Sequence, residues 1–215
     1  MSKLNKDKVF DYRALRLMVG LIALTLPCIV TIVSDTELTS ISESYYTNAR
    51  DLFVGMLFIV GAFLWAYNGH TTTQAISSKL ASISAVTIAL FPTFENECGT
   101  NLDSNIHAIA AVILFSILSY FCFVYFRENT KGKGGKKGLR SKIYYFCGSV
   151  MVGALVAIIY VKFAMNCEVV ADYRIVYWAE AIALGAFGVA WIVAGKYFRL
   201  LVEAEEELIL FARKL

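Results

Sequence analysis

The chain has 215 residues, of which 58% are hydrophobic and 17% charged, with a formal net charge of +3. A soluble domain carries about 25% charged and about 45–50% apolar residues, so this balance excludes an ordinary water-soluble globule.

The apolar residues are gathered in blocks, and that decides the class. Runs of about 17–25 apolar residues with few charges cross a bilayer as helices. Six runs of this kind stand at 15–33, 52–67, 80–94, 106–126, 143–161 and 175–197. The expected fold is all-α: a polytopic membrane helix bundle of six transmembrane helices. It is expected to form a single integral membrane domain over 1–215, ending in an amphipathic cytoplasmic tail over 198–215. Lys3, Lys6 and Lys8 precede the first run as in a signal peptide. That run is too long for a signal h-region and no small-x-small site follows it, so a retained helix is expected.

Charge sets the orientation. Basic residues collect on the cytoplasmic side of membrane proteins. With the N-terminus inside, Arg50, Lys162 and Arg174 alone among the 20 Lys and Arg residues fall outside. Both termini are therefore expected in the cytoplasm and the chain in the plasma (inner) membrane. The basic loop Arg127–Lys142 carries KGKGGKKG and a single acid, Glu128. It is expected to be a flexible linker that serves as a topology signal, with contact to anionic lipid as its functional alternative. Nucleic acid is not an expected partner, because no aromatic residues interleave these charges.

In chain order, Pro27 sits mid-way along the first span and predicts a kink. The first outer loop is acidic and aromatic, with Asp35, Glu37, Glu43, Tyr45 and Tyr46, and it ends on Arg50 and Asp51. Tyr45 and Tyr46 fit the aromatic belt of a membrane boundary. Asp51 also suits the first turn of a helix. Gly55 and Gly61 predict close packing of the second helix. His70 falls in the next inner loop, and a lone loop histidine is ordinarily solvated. Ser77, Ser84 and Thr87 share one side of the third helix. They either bond neighbouring carbonyls or line a polar path. Asp103 or Ser104 is expected to cap the fourth helix, with His107 one turn inside it. Cys28, Cys122 and Cys147 are expected to be small buried hydrophobes. Cys98 and Cys167 are the two cysteines of the outer loops and form a disulfide candidate. Glu180 lies about 9 Å below Arg174 along the sixth span, where an ionisable residue marks a functional site or a structural pair, with Arg50 or His107 as partner. The tail places Leu200, Ala204, Leu208, Phe211 and Leu215 on one face, which suggests a homo-oligomer contact.

Arg50, Asp51, His107 and Glu180 are thus expected at one depth in the outer half, beneath Tyr45 and Tyr46. Facing lipid separately is so unfavourable that a shared, outward-open pocket is expected. The function expected from it is binding or transport of a small solute, ion or lipid headgroup, without a cofactor and without catalytic or metal-ligating residues. The alternative is a membrane-embedded metal-dependent hydrolase. With only His70 and His107 in the chain, a three-histidine zinc site is excluded. Asp51, His107 and Glu180 remain as a carboxylate-rich donor set.

The Ser40–Gly55 segment, SISESYYTNARDLFVG, resembles that of a family of uncharacterised bacterial six-span membrane proteins. Ala89–Thr93, ALFPT, and the Ile106–His107 pair add to the likeness, and the helix order is loosely similar to the DRAM-type layout. The resemblance implies a multi-pass membrane fold and no particular activity. The stretch ISESYYTNARDLF also resembles the early polar segment of ceramidase-like membrane hydrolases, which implies the hydrolase alternative.

Overall fold

A computed structural model describes residues 12–69, 71–93, 101–204 and 206. The N-terminal lysines, His70, Glu95, Glu97, Cys98 and the tail after Glu206 lie outside the described residues. The chain forms α1 (Tyr12–Val33), α2 (Arg50–Ala66), α3 (Thr72–Leu90), α4 (Leu102–Tyr120), α5 (Gly135–Ala164), the short α6 (Cys167–Asp172) and α7 (Ile175–Gly195). Four of these, α1, α4 with its π-helical continuation, α5 and α7, are long and apolar enough to cross a membrane. The outward faces of the helices are apolar: Ile32, Phe163, Phe146 and Tyr160 are more than 60% exposed. A water-soluble protein does not leave apolar surface of this extent uncovered. The protein is membrane-embedded.

The helices alternate in direction, and their contacts fix this. Arg13 Nε, at the start of α1, donates to Gly195 O at the end of α7, while Thr31 near the other end of α1 bonds Tyr177 in the first turn of α7. Ser78 Oγ, early in α3, donates to Leu64 O late in α2. Arg127, just after α4, bonds Ser141 near the start of α5. One end of the bundle therefore gathers Arg13, Arg16, Arg127, Lys136, Arg140 and Lys196. The opposite end gathers the Ser34–Ala49 loop and the starts of α2, α4 and α7.

Packing follows from small residues set between large ones. Val19, Ala23, Leu26 and Val30 recur at helical spacing on the buried face of α1. There Gly20 and Gly188 let α1 and α7 approach: a Cβ at Gly188 would stand 2.7 Å from Gly20 O. Trp191, 1% exposed, packs its ring against Phe121, Phe126 and Phe187 at centroid distances of 4.9–5.3 Å. Arg16 closes this aromatic cluster at the basic end. Its guanidinium lies over Tyr67 and Phe126 and donates to Ala194 O and Tyr67 Oη.

Several local expectations are corrected. The helix expected over 80–94 runs instead from Thr72 to Leu90, because Thr71 caps it by accepting from Gln74 N. Of the two alternatives for the hydroxyls of α3 the first holds: Ser84 and Thr87 bond carbonyls one turn back, Ser77 Oγ lies 3.4 Å from Tyr125 Oη, and Ser78 and Ser82 donate to α2. Asn101, not Asp103 or Ser104, caps α4, with Ser104 returning the bond. α5 starts at Gly135, so half of the expected basic loop is helix and presents Lys136, Lys137, Arg140 and Lys142 from it. Gly61 and Gly148 are closely packed, whereas Gly55 has open space beside it. Cys122 and Cys147 are buried, but Cys28 is exposed.

The described part of the tail is pinned to the basic end. Arg140, 1% exposed, and Lys196 both reach the Glu206 carboxylate at 2.8 Å. Burial alone would raise the Glu206 carboxyl; the hydrogen bonds from Lys196 and Arg140 outweigh it and lower it to about 2. A carboxylate held down in this way adds stability above its ordinary range and loses it as the pH falls toward about 2.

Three outcomes follow for variants. Gly188→Val forces α1 and α7 apart and lowers stability in chemical denaturation by about 1–3 kcal/mol. Gly153→Ala, with open space at its Cβ, leaves it unchanged or slightly raised. For the tail, Glu206→Gln speeds amide hydrogen exchange at Arg199–Leu201 at neutral pH, and the wild-type segment keeps its protection until the pH falls well below 4.5.

Candidate functional site

At the end opposite the arginines, the Ser34–Ala49 loop folds back over the first turns of α7 and is stapled there. Arg174 Nε donates to Leu38 O at 2.6 Å, and Arg174 Nη1 to Glu37 Oε1 at 2.9 Å. Tyr177 N donates to Thr39 O. Within the loop, the buried Glu43 carboxylate accepts from both Thr39 N and Thr39 Oγ1 at 2.7 Å. Leu38 and Ile41 are buried beneath it. The loop is thus a folded layer with a short 3-10 turn over Ser42–Tyr46.

Glu180 meets this layer from below. Its Oε2 accepts from Ile41 N at 2.6 Å and its Oε1 from Ser42 Oγ at 3.2 Å. Ser42 Oγ also lies 3.0 Å from His107 Nε2, and His107 Nδ1 lies 2.8 Å from Phe91 O. A carbonyl only accepts, so Nδ1 carries a hydrogen and donates it to Phe91 O. His107 and Ser42 are buried, at 6% and 7% exposure. Four segments therefore converge on one polar knot: the Ser34–Ala49 loop through Ile41 and Ser42, the end of α3 through Phe91, α4 through His107 and α7 through Glu180.

His107 and Glu180 also form the polar end of a cleft of about 700 Å³. Its walls are apolar, with Val112 and Phe115 from α4, Ile158 and Val161 from α5, Val170 from α6 and Val176 from α7. Thr93 and Asn105 add hydroxyl and amide groups, Lys162 supplies a cation, and Glu180 is the only acid among the described lining residues. The volume and the mix of a few convergent polar groups with apolar walls are those of a small-molecule site.

The structure thus divides the six residues expected to meet. His107 and Glu180 come together, joined through Ser42. Tyr46 stands beside them, its hydroxyl donating to Thr93 O at 2.6 Å. Arg50 and Asp51 do not join: both are exposed at the start of α2. The Arg50 guanidinium instead lies 4.4 Å from the centroid of the Tyr45 ring and donates to its hydroxyl. Asp51 is left in the first turn of its helix, where the dipole favours it. Among the described residues no group of three or more His, Cys, Asp and Glu could hold a metal, so the donor set of Asp51, His107 and Glu180 is not assembled. Cys167, on the cleft wall, is disulfide-bonded; Cys98 lies outside the described residues.

Ser42 escapes sequence reasoning because a serine in a polar loop carries no signal of its own. The hint was its place in a segment dense with polar groups beside a span holding one acid. Comparison of the chain with protein-family models, with curated proteins and with solved structures finds no match.

Removing the hydroxyl that joins α4 to α7 leaves buried polar atoms unpaired. Ser42→Ala is expected to lower stability in chemical denaturation by about 1–3 kcal/mol. The exposed Asp51→Asn is expected to change it by no more than about 0.5 kcal/mol.

Proposed function

We propose that this is a six-span plasma-membrane protein of a bacterial type, with both termini in the cytoplasm, whose outer-end cleft binds an amphiphilic small molecule, a lipid or lipid-like solute. The observation that carries this reading is the cleft itself: apolar walls enclosing about 700 Å³, with His107 and Glu180 at one end. An apolar tail fits the walls and a polar head fits the residues beside the folded loop. The likeness of Ser40–Gly55 to bacterial six-span membrane proteins accords with it, since this segment contributes Ile41 and Ser42 to the polar end.

Six spans are supported by the helix directions. α1 ends and α4 begins at the same end of the bundle, so α2 and α3 run its length and return. At 1.5 Å per residue, 17 and 19 residues measure about 26 and about 29 Å, close to the hydrocarbon thickness of about 30 Å. The arginine- and lysine-rich end is taken as cytoplasmic by the positive-inside rule. There Arg127–Lys142 can meet anionic lipid, and the tail can serve a homo-oligomer. On the outer side, Cys98 is proposed as the partner of Cys167, since Cys28, Cys122 and Cys147 are free.

A second reading is a membrane hydrolase that works without a metal. It is favoured by the 3.0 Å approach of Ser42 Oγ to His107 Nε2, the spacing of a nucleophile and its base.

The test uses purified protein in detergent with a nonionic fluorescent amphiphile. Wild type is expected to bind it, and filling the cleft with Val112→Trp and Ile158→Trp to weaken binding by about ten-fold, or about 1.4 kcal/mol. Equal binding by the filled variant contradicts the cleft as the site. Turnover of an ester amphiphile that vanishes in Ser42→Ala decides for the hydrolase.

A further inference from the structure

The walls of the cleft follow one face of α4 and one face of α5, and both faces change character at the same end. From α4, Ala108, Ala111, Val112 and Phe115 line it at the i, i+3, i+4, i+7 spacing of a single helix face, and Asn105 stands one turn further out on that face. From α5, Leu155, Ile158 and Ile159 line it at the same spacing, and the next turn brings Lys162. α4 begins and α5 ends at this end of the bundle, so each apolar stripe is topped there by a polar side chain. Asn105 and Phe115 stand about 15 Å apart along α4. That is half of the hydrocarbon thickness of about 30 Å, the depth of one leaflet.

The cleft is open on its side. Ile109 and Ile113 of α4 and Ile159 and Phe163 of α5 are among its lining residues and are 41–86% exposed. α4 and α5 are both long and apolar enough to cross a membrane. A mouth rimmed by exposed isoleucine and phenylalanine on such helices opens to lipid rather than to water. Two charged residues line the cleft among those described. Glu180 accepts hydrogen bonds from Ile41 N and Ser42 Oγ of the folded loop. Lys162 is exposed in the last turn of α5 and forms no ion pair among the described residues. Asp103 of α4 and Glu168 and Asp172 of α6 are exposed, where water and salt screen them. A lysine near the end of a span extends its ammonium to the headgroup level of the bilayer.

Resting on the cleft as a binding site, we propose that its occupant is a phospholipid of the leaflet at this end of the bundle, seated from the side between α4 and α5, with an acyl chain in the apolar part and its phosphate on Lys162. Three features select this occupant. The apolar stripes run for the depth of one acyl chain. The mouth opens where lipid chains already lie, so entry needs no passage through water. The cation at headgroup level complements a phosphate, and a lysine ammonium on a phosphate oxygen is a charge-assisted hydrogen bond. Asn105, at the same end, supplies an amide N–H for a second phosphate or ester oxygen. A lipid without phosphate fills the same walls but leaves Lys162 without a counter-ion.

The test is native mass spectrometry of the full-length protein in detergent, titrated with phosphatidylglycerol and, in parallel, with a diacylglycerol of the same chains. Wild type is expected to retain one phosphatidylglycerol and to bind the diacylglycerol about ten-fold more weakly. Lys162→Gln is expected to bring phosphatidylglycerol down to the diacylglycerol affinity, to leave the diacylglycerol unchanged and to keep the thermal transition of the wild type. Lys162→Arg is expected to keep the preference. With a photoreactive group at the end of the acyl chain, labelling is expected around Phe115 and Leu155 and is lost in Val112→Trp with Ile158→Trp. The proposal is overturned if wild type binds the two lipids equally, if Lys162→Gln binds phosphatidylglycerol as wild type does, or if the label spreads evenly over all the helices. The filled variant separates the two readings. If it weakens both lipids while Lys162→Gln weakens neither, only the phosphate assignment fails; if it binds both as wild type does, or wild type retains neither, the cleft fails as a site.

Discussion

A carboxylate on a membrane-spanning helix must be given hydrogen-bond donors, and Glu180 obtains them from a loop nearly 140 residues away in sequence. Isolated in hydrocarbon, the charge is severely unfavourable. Ile41 N and Ser42 Oγ supply donors directly, which requires the Ser34–Ala49 loop to fold down onto α7 rather than extend into water. That fold-back brings Ser42 to His107, and His107 in turn holds the end of α3 through Phe91 O. One acid thereby links four segments at this end of the bundle. Arg174, in the left-handed region at φ 51°, reinforces the same loop from the helix start.

The two ends of the bundle solve opposite problems. At the basic end, guanidiniums are neutralised by helix C-terminal carbonyls, by aromatic faces and by Glu206. Arg13 and Arg16 take the last carbonyls of α7, where the helix dipole also favours a cation. Those interactions tie α1, α5, α7 and the described part of the tail together at that end. At the other end Arg174 pairs with Glu37, whereas Glu180 takes its hydrogen bonds from the folded loop. A polar knot is left bordering an apolar cleft between α4, α5 and α7, and for that reason the chemistry is sought there.

The spans were legible because apolar length is a direct consequence of bilayer thickness, and α1, α4, α5 and α7 repeat it clearly. Lys136 and Arg140 misled because glycine-rich basic sequence looks like linker, yet Gly134 and Gly135 open a helix whose first turns are held by Glu203, Leu201 and Glu206. His107 and Glu180 each lie a turn or two inside α4 and α7, at the same end of the bundle. Direction was not legible. Arg50 and Asp51 open α2 at the same end of the bundle but are exposed, and rotation about a helix axis is set by packing that no single sequence declares. Ser42 was invisible for a related reason: its role comes entirely from two partners brought to it by other helices.

The Ser42 bridge between α4 and α7 is the claim on which the rest stands, and nitrogen-15 magnetic resonance of the histidine ring reads it most directly. In full-length protein carrying His70→Gln and labelled at histidine, His107 gives the only ring signals. The account predicts a hydrogen-bonded Nε2 at neutral pH whose resonance moves both on Ser42→Ala and on Glu180→Gln, while Nδ1 keeps the signature of a donor to a carbonyl. An Nε2 resonance indifferent to both substitutions would mean that the three side chains do not meet.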